Sequence, residues 1–375
     1  GAGCDVFGPG ELEGALRGGV LPEAISVNGS IKDTSIIEKA IEIGARIVLD
    51  SPRELTLCDE VSRRVGKTAR VMFRLKPHMK ELDIKSDFMP ELDIRYLTQI
   101  IKYGIPTSEV LIMGPRAMLM PYIDVVGIHI HMGRHSKKLE VWQAWVEQCI
   151  ELTKVLSDSM NGWQPAEINF GGGFPSESDT DTDVTIKGYA GPTLDDYARI
   201  ITDTLRSALK TNGLNAQGLL IEVEPGRGLH TDTGIHLTRV KNLKHETATM
   251  DHHWAEVDTS EVFLGVHGLN LEAPPFEYVI ANKAEQLAMM KSDIVGCTCN
   301  AEILFFQVDV PKLEVGDTIA FLNTGAYIEP MATNFNALPR PGMVLVTGNT
   351  AELIKRPETV DDVFSRDIIP ARLQR

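Results

Sequence analysis

The sequence predicts an α/β fold with a parallel sheet, followed by a smaller and mostly antiparallel β domain. Three observations carry this reading. From residue 4 to about residue 230, short β-branched runs alternate with longer stretches of helical period, the pattern of parallel βα units. After about residue 235 the pattern becomes β-rich, with Gly, Pro, Asn and Asp turns between the runs. The length, 375 residues, is enough for two or three domains with full cores.

In chain order, the expected strands of the first domain are CDVFG (4–8), AISVN (24–28), RIVLDS (46–51), RVMFRL (70–75), VVGIHIHM (125–132), AEINFGG (166–172) and LLIEVEPG (219–226). Most end in a polar or glycine-containing turn, as the active-site edge of an α/β fold does. The helices between them carry start signals. Ser51-Pro52-Arg53-Glu54 reads as a capping box, with Pro52 where its missing N–H costs nothing, and Ser35 to Glu38 repeats the signal. Trp142, Trp145, Val146, Cys149, Leu152 and Leu156 follow the 3.6-residue period, which turns the Trp pair toward a core. The acidic stretch 176–195 is expected to loop over the top of the first domain. The β domain is expected to hold IHLTRVKNLKHE (235–246), FEYVIANKA (276–284), DTIAFLNTGAY (317–327) and GMVLVTG (342–348). A βα repeat with seven strands fits either an open doubly wound sheet or an eight-stranded barrel.

Charge and cysteine usage narrow the function classes. The 52 acidic residues against 37 basic ones give a net charge of −15, which opposes binding to nucleic acid or to an anionic membrane surface. The expected partner is a small molecule or a protein. No apolar run approaches a membrane span, and the opening GAGCDVFGPG reads as neither a secretion signal nor a transit peptide, so a cytoplasmic location is expected. The five cysteines are an odd number at irregular spacing, which argues against a disulfide framework. Cys297 and Cys299 form a C-x-C pair, with no second pair at zinc-site spacing.

Three motifs carry chemistry. GGGFP (171–175) follows a strand, and its consecutive glycines can converge backbone N–H groups on an anion, although a plain strand-end turn has the same composition. EPGR (224–227) places a carboxylate, a turn and a guanidinium suited to phosphate at the end of the next strand; its bland alternative is a surface ion pair. In GIHIHMGRH, His129 and His131 share one side of a strand. That pair fits a metal site, with Asp50 and Glu224 as further ligands, a buried structural pair, or a ring lying flat on an aromatic cofactor.

Taken in order and at these intervals, GIHIHMG, NFGGGFP, EPGRG, GCTCNAE and NTGAY resemble the pyridoxal-phosphate-dependent decarboxylases of the alanine-racemase-like barrel, which act on ornithine, lysine, arginine or diaminopimelate. The resemblance spans essentially the whole chain, and GAGCDVFGPGEL, NGSIKD and DSPREL resemble that family's second to fourth barrel strands. It implies a (β/α)8 barrel over residues 1–235 whose first βα unit is missing from this chain, and a β domain over 236–375 that contributes to the active site and to a homodimer interface. It further implies that Glu224 pairs with the pyridine nitrogen and that His131 stacks on the ring. Gly173, Gly226, Arg227 and the Tyr327 hydroxyl would hold the phosphate, with Gly133, Gly172, Arg74 and Asp5 lining the cofactor site. Cys299 would enter from the second subunit and protonate the carbanion after CO2 leaves.

The resemblance has three departures. Relatives carry an acid directly after the cysteine to bind a distal ammonium, whereas this chain has Asn300, with Glu302 two residues on. Arg134 stands where a small hydroxyl residue is common, which would add a cation near the phosphate or a substrate carboxylate. The family's Schiff-base lysine lies at the end of the first barrel strand, ahead of Gly1, and Lys32 matches a different lysine. The expected activity is therefore decarboxylation of a diaminopimelate-, ornithine- or lysine-like amino acid, or a relative with an altered distal group, provided that lysine is present in the native protein. The alternatives are a non-catalytic homologue acting by binding a partner and, with less support, an amino-acid racemase or a metal-dependent hydrolase.

Overall fold

The computed structural model describes residues 2–76, 79, 84–85, 91–131, 137–176, 192–264 and 276–374. They separate into two compact units, the first ending at Gly228 and the second beginning at Leu229.

The first unit is a parallel sheet of β1 (Cys4–Val6), β2 (Ile25–Val27), β3 (Arg46–Leu49), β4 (Ala69–Arg74), β5 (Ile123–His129), β6 (Glu167–Asn169) and β7 (Leu220–Glu222), paired in sequence order. The helices are α1 (Pro9–Arg17), α2 (Thr34–Ile43), α3 (Pro52–Val65), α4 (Ile94–Ile100), α5 (Thr107–Ala117), α6 (Leu139–Ser159) and α7 (Leu194–Asn212). Arg46 of β3 bonds Glu222 of β7 at 2.6 Å and Glu167 of β6 at 2.7 Å. Strands four places apart in a flat sheet would stand roughly 19 Å from one another. The sheet therefore curls on itself as a barrel wall, with Arg46, Val48, Met72 and Val126 turned inside and Ile47, Leu49, Phe73 and Ile128 packed outward under the helices. The β4–β5 register skips Val126 between the Val71–Val125 and Met72–Gly127 pairs, and this bulge sets the parity that turns His129 inward. Gly127 is needed at the next position, because a Cβ there would sit 2.0 Å from the Glu167 carbonyl oxygen on β6.

Local signals act partly as the sequence suggests. Ser51 accepts from the Glu54 amide at the start of α3, but the Glu54 carboxylate reaches the Asp50 N–H and Lys32 instead of closing the box on Ser51. Helix α2 begins at Thr34 with Asp33 as its cap residue, so Ser35 lies inside the first turn; the buried Ile36, Ile37, Ala40 and Ile41 set its phase. The Trp pair is buried, and Trp142 stacks on Phe174 at 4.4 Å between ring centroids. Of the expected acidic loop, residues 177–191 lie outside the described residues, and Thr193 already closes a capping box with Asp196 at the head of α7.

The second unit carries a six-stranded sheet in the order β10-β13-β8-β9-β11-β12 and a separate hairpin, β14-β15. Its strands are β8 (His236–Glu246), β9 (His252–Val257), β10 (Tyr278–Ile280), β11 (Met290–Val295), β12 (Ile303–Val310), β13 (Thr318–Phe321), β14 (Met343–Thr347) and β15 (Thr350–Lys355). Pairing is antiparallel except between β9 and β11, which run parallel. Its core is built from Val240, Ala255, Ile294, Phe305, Ile319 and Phe321 among others. No helix among the described residues is long and apolar enough to cross a membrane.

Candidate active site

The carboxyl ends of the parallel strands gather inward-facing polar side chains at one mouth: Asp5, Asn28, Asp50, Arg74, His129, Asn169 and Glu224. They come together because each stands at an inward position of the two-residue strand period or in the turn just beyond. Glu224 is the focus. Its Oε1 accepts from Asn169 Nδ2 at 2.8 Å and lies 3.1 Å from His129 Nε2. The Asn169 side-chain oxygen in turn accepts the Gly171 N–H at 2.7 Å, and Gly171 returns its carbonyl to the Glu224 N–H at 2.9 Å. The GGG and EPG turns are thereby tied into one unit.

Glycine is required in this turn. Gly171 and Gly173 have φ of +68° and +96°. A Cβ on Gly172 would approach the Glu224 carbonyl oxygen to 2.6 Å and His131 Nε2 to 3.1 Å. His131 thus stands beside the glycine turn on the same side as His129. Arg227 follows Gly226 in the short helix Gly226–His230.

Burial governs the electrostatics of the mouth. It holds His129 down to about 3 and His131 down to about 4, with the Arg74 charge adding to both. Both imidazoles are neutral at neutral pH. Burial pushes the Glu224 carboxyl up, opposed by neighbouring His131, the Asn169 hydrogen bond and the Arg74 charge. Asp5 is open to solvent as a residue, but its carboxyl turns inward; burial and the Glu224 charge push it up to about 6, while a hydrogen bond from Asn28 opposes them. Arg74 is buried with its guanidinium 4.4 Å over the Tyr103 ring, and burial lowers it while Asp50, Glu224 and Asp5 raise it. Lys32 is committed elsewhere: its amine donates to the Gly29 carbonyl at 2.5 Å and to both Glu54 oxygens at 3.0 Å, so it braces the site.

The second unit holds the remaining candidates. Cys299 is an exposed free thiol in the turn between β11 and β12. Glu302 is buried at the base of that turn, where its two oxygens accept from Ser260 Oγ, the Glu261 N–H, the Thr298 N–H and Thr298 Oγ1 at 2.6–2.8 Å. Four bonds from within the fold make this carboxylate a brace for the turn, where its sequence position suggested a substrate contact. Asn300 instead donates to the Glu261 carboxylate at 2.8 Å. Tyr327 is half exposed with φ +68°.

Gly133 and Arg134 lie outside the described residues. The structure brings Asp5, Arg74, His131, Gly172, Gly173, Glu224, Gly226 and Arg227 into the first unit's mouth and its turns, and places Cys299, Asn300, Glu302 and Tyr327 in the second unit. Sequence reasoning missed Asn28, Asn169 and Tyr103 as site residues, and reached Asp50 only as a candidate metal ligand. Asn28 and Asn169 carried a usable signal, since each occupies the inward parity at a strand end. Among the described residues the grouping with metal-ligand geometry is His245, Asp251 and His253 of the second unit, and it does not include His129 or His131.

Comparison with known proteins follows the same lines. The family described as "Pyridoxal-dependent decarboxylase, pyridoxal binding domain" matches residues 1–231. The chain is 29% identical to the diaminopimelate decarboxylase of Methanocaldococcus jannaschii, covering 100% of this chain and 80% of that protein. It is 27% identical to the Pseudomonas aeruginosa diaminopimelate decarboxylase, covering 97% and 80%. Among solved structures, diaminopimelate decarboxylase from M. jannaschii superposes with a TM-score of 0.84 at 27% identity, over 99% of this chain and 80% of that one. The same enzyme in complex with L-lysine gives 0.83 at 26%, again over 99% and 80%.

Proposed function

The chain belongs to the pyridoxal-dependent decarboxylases, and from that premise we propose that its glycine turns and Glu224 grip pyridoxal phosphate at the sheet mouth for the removal of an amino acid's α-carboxyl group as CO2. The observation that carries this placement is the occupancy of Glu224. Both hydrogen-bonding neighbours described at its carboxylate meet Oε1, which fixes the orientation of the carboxylate at the mouth.

The residues fit the cofactor. The mouth holds the acids Asp5, Asp50 and Glu224 against Arg74, with both histidines neutral, so a protonated ring nitrogen at Glu224 answers an excess of negative charge. A Cβ on Gly171 or Gly172 would meet the Ile130 or Glu224 carbonyl oxygen, so glycine lets this turn pack tightly, and the N–H groups of Gly172 and Gly173, with the turn at Gly226 and Arg227, suit a phosphate. Pyridoxal phosphate, when bound, supplies the sink for the electron pair left on the α-carbon as CO2 departs. Glu224 holds the proton at the ring nitrogen. His131, being neutral, packs its ring face without bringing a second charge. Arg74 offsets the acids, and Asn169 keeps Glu224 and the glycine turn in register. Cys299 gives its thiol proton to the α-carbon.

The substrate reading is a diaminopimelate-, ornithine- or lysine-like amino acid or a relative with an altered distal group, because Asn300 presents a neutral amide. The active form is read as a cytoplasmic homodimer whose second unit completes a site with Cys299 and Tyr327. The five cysteines are free thiols, as a reducing compartment keeps them. CO2 release from ornithine, lysine, arginine, diaminopimelate and acid- or amide-bearing analogues, with and without pyridoxal phosphate, tests the reading. Cofactor-dependent release from one of them is expected; no release from any would refute it.

A further inference from the structure

The geometry points to Asn336 as the positioning residue for Cys299, an inference that rests on the reading of Cys299 as the proton donor. The side-chain amide of Asn336 meets the cysteine at two points. Its Oδ1 accepts the Cys299 backbone N–H at 2.9 Å, and its Nδ2 donates to Cys299 Sγ at 3.3 Å. Asn336 and Cys299 are 37 residues apart in sequence, so this contact is made by the fold and not by a local turn.

The backbone at Asn336 is held in an unusual conformation. Asn336 has φ +57° and Ala337 has φ +55°, consecutive non-glycine residues in the left-handed region. Such a conformation persists only where surrounding contacts fix it. Here Asn334 donates to the Leu338 carbonyl at 2.9 Å and to Glu358 at 2.6 Å, while Arg340 grips the same Glu358 through its backbone and guanidinium. The Thr333 N–H ties the segment to the Val262 carbonyl at 2.9 Å, next to Glu261, whose N–H Glu302 accepts. Glu302 thus anchors the base of the cysteine turn and Asn336 anchors its tip.

The chemistry needs such a donor. When the thiol gives up its proton, sulfur becomes negative, and the N–H of Asn336 stabilises that charge. Of the nearby acids, Glu302 is turned into the base of the loop and Glu261 accepts from Asn300. Among the described residues, Asn336 supplies the recorded hydrogen bond to Sγ.

The test uses the native full-length protein and reads alkylation of Cys299 by iodoacetamide against pH, followed peptide by peptide so that Cys297 is scored separately. Asn336→Gly keeps the left-handed backbone and deletes both bonds. Asn336→Asp keeps the acceptor for the Cys299 N–H and replaces the donor at sulfur with a negative oxygen. The pH of half-maximal alkylation should rise by roughly 0.5–1 unit in Asn336→Gly and further in Asn336→Asp. The basic limb of the CO2-release profile should move the same way. A midpoint unchanged in both variants overturns the inference. Cys299→Ala separates the two layers: parent-level CO2 release from it refutes the proton-donor reading itself, whatever the Asn336 variants show.

Discussion

Which oxygen of Glu224 is occupied decides what that residue can do. Asn169 and His129 fill Oε1, so the carboxylate is oriented before any ligand arrives. Glu224→Gln keeps the shape and removes the charge; CO2 release should fall on the order of a hundredfold or more, and a loss of less than about twofold would contradict the role. The histidines give a pH signature. In the unfolded chain each takes up a proton near 6.5, while the folded pair resists protonation down to about 3 and about 4. The unfolded state therefore binds more protons below pH 6.5, and stability falls as pH drops through that window, by up to about 1.4 kcal/mol per pH unit for each histidine. Asp5 works in the opposite sense between 3.8 and about 6, because its raised carboxyl holds a proton in the folded state that the unfolded chain has released. Urea midpoints at pH 7, 6 and 5 should show a shallower fall in His129→Gln than in the parent; equal slopes would contradict a neutral buried His129.

At the scale of elements, the parallel strands were legible because each is a short β-branched run ending in a polar turn. β5 shows the limit of that reading: the shared face of His129 and His131 follows from the two-residue period, but the bulge at Val126 that turns this face inward has no sequence mark. Asn169 lies within NFGGGFP, but its role follows from Glu224, 55 residues away in sequence. The turn between β11 and β12 was readable only as a cysteine motif. That Glu302 points into its own loop depends on Ser260 and Thr298, which no spacing rule connects to it. Gly296 makes room for this carboxylate, because a Cβ there would lie 2.3 Å from the Glu302 carboxyl carbon. Gly296→Ala should displace Glu302 and lower CO2 release while pyridoxal phosphate binding to the first unit is kept. Glu302→Ala strands the buried Ser260 hydroxyl and three half-buried donors and should cost about 2–4 kcal/mol. Thermal melts and cofactor titration check both, and parent-like melting of Glu302→Ala would contradict the brace.

At the scale of the whole molecule, the candidates fall in two compact units, with Asp5, Arg74, His131 and Glu224 in the first and Cys299 in the second. Shared sites in a homodimer give a sharp expectation. Glu224→Gln and Cys299→Ala, each inactive alone, should recover about a quarter of parent activity when mixed and allowed to exchange subunits, since half the dimers are hybrids with one intact site of two. No recovery in a mixture that demonstrably exchanges would contradict sharing. The sheet mouth is proposed to be the seat of cofactor-dependent decarboxylation. Release of labelled CO2 from carboxyl-labelled diamino acids by the native full-length protein tests it most directly. The expected result is release that requires pyridoxal phosphate, yields the matching amine in equal amount, and collapses in Glu224→Gln. Release that continues undiminished without the cofactor or in Glu224→Gln would contradict it.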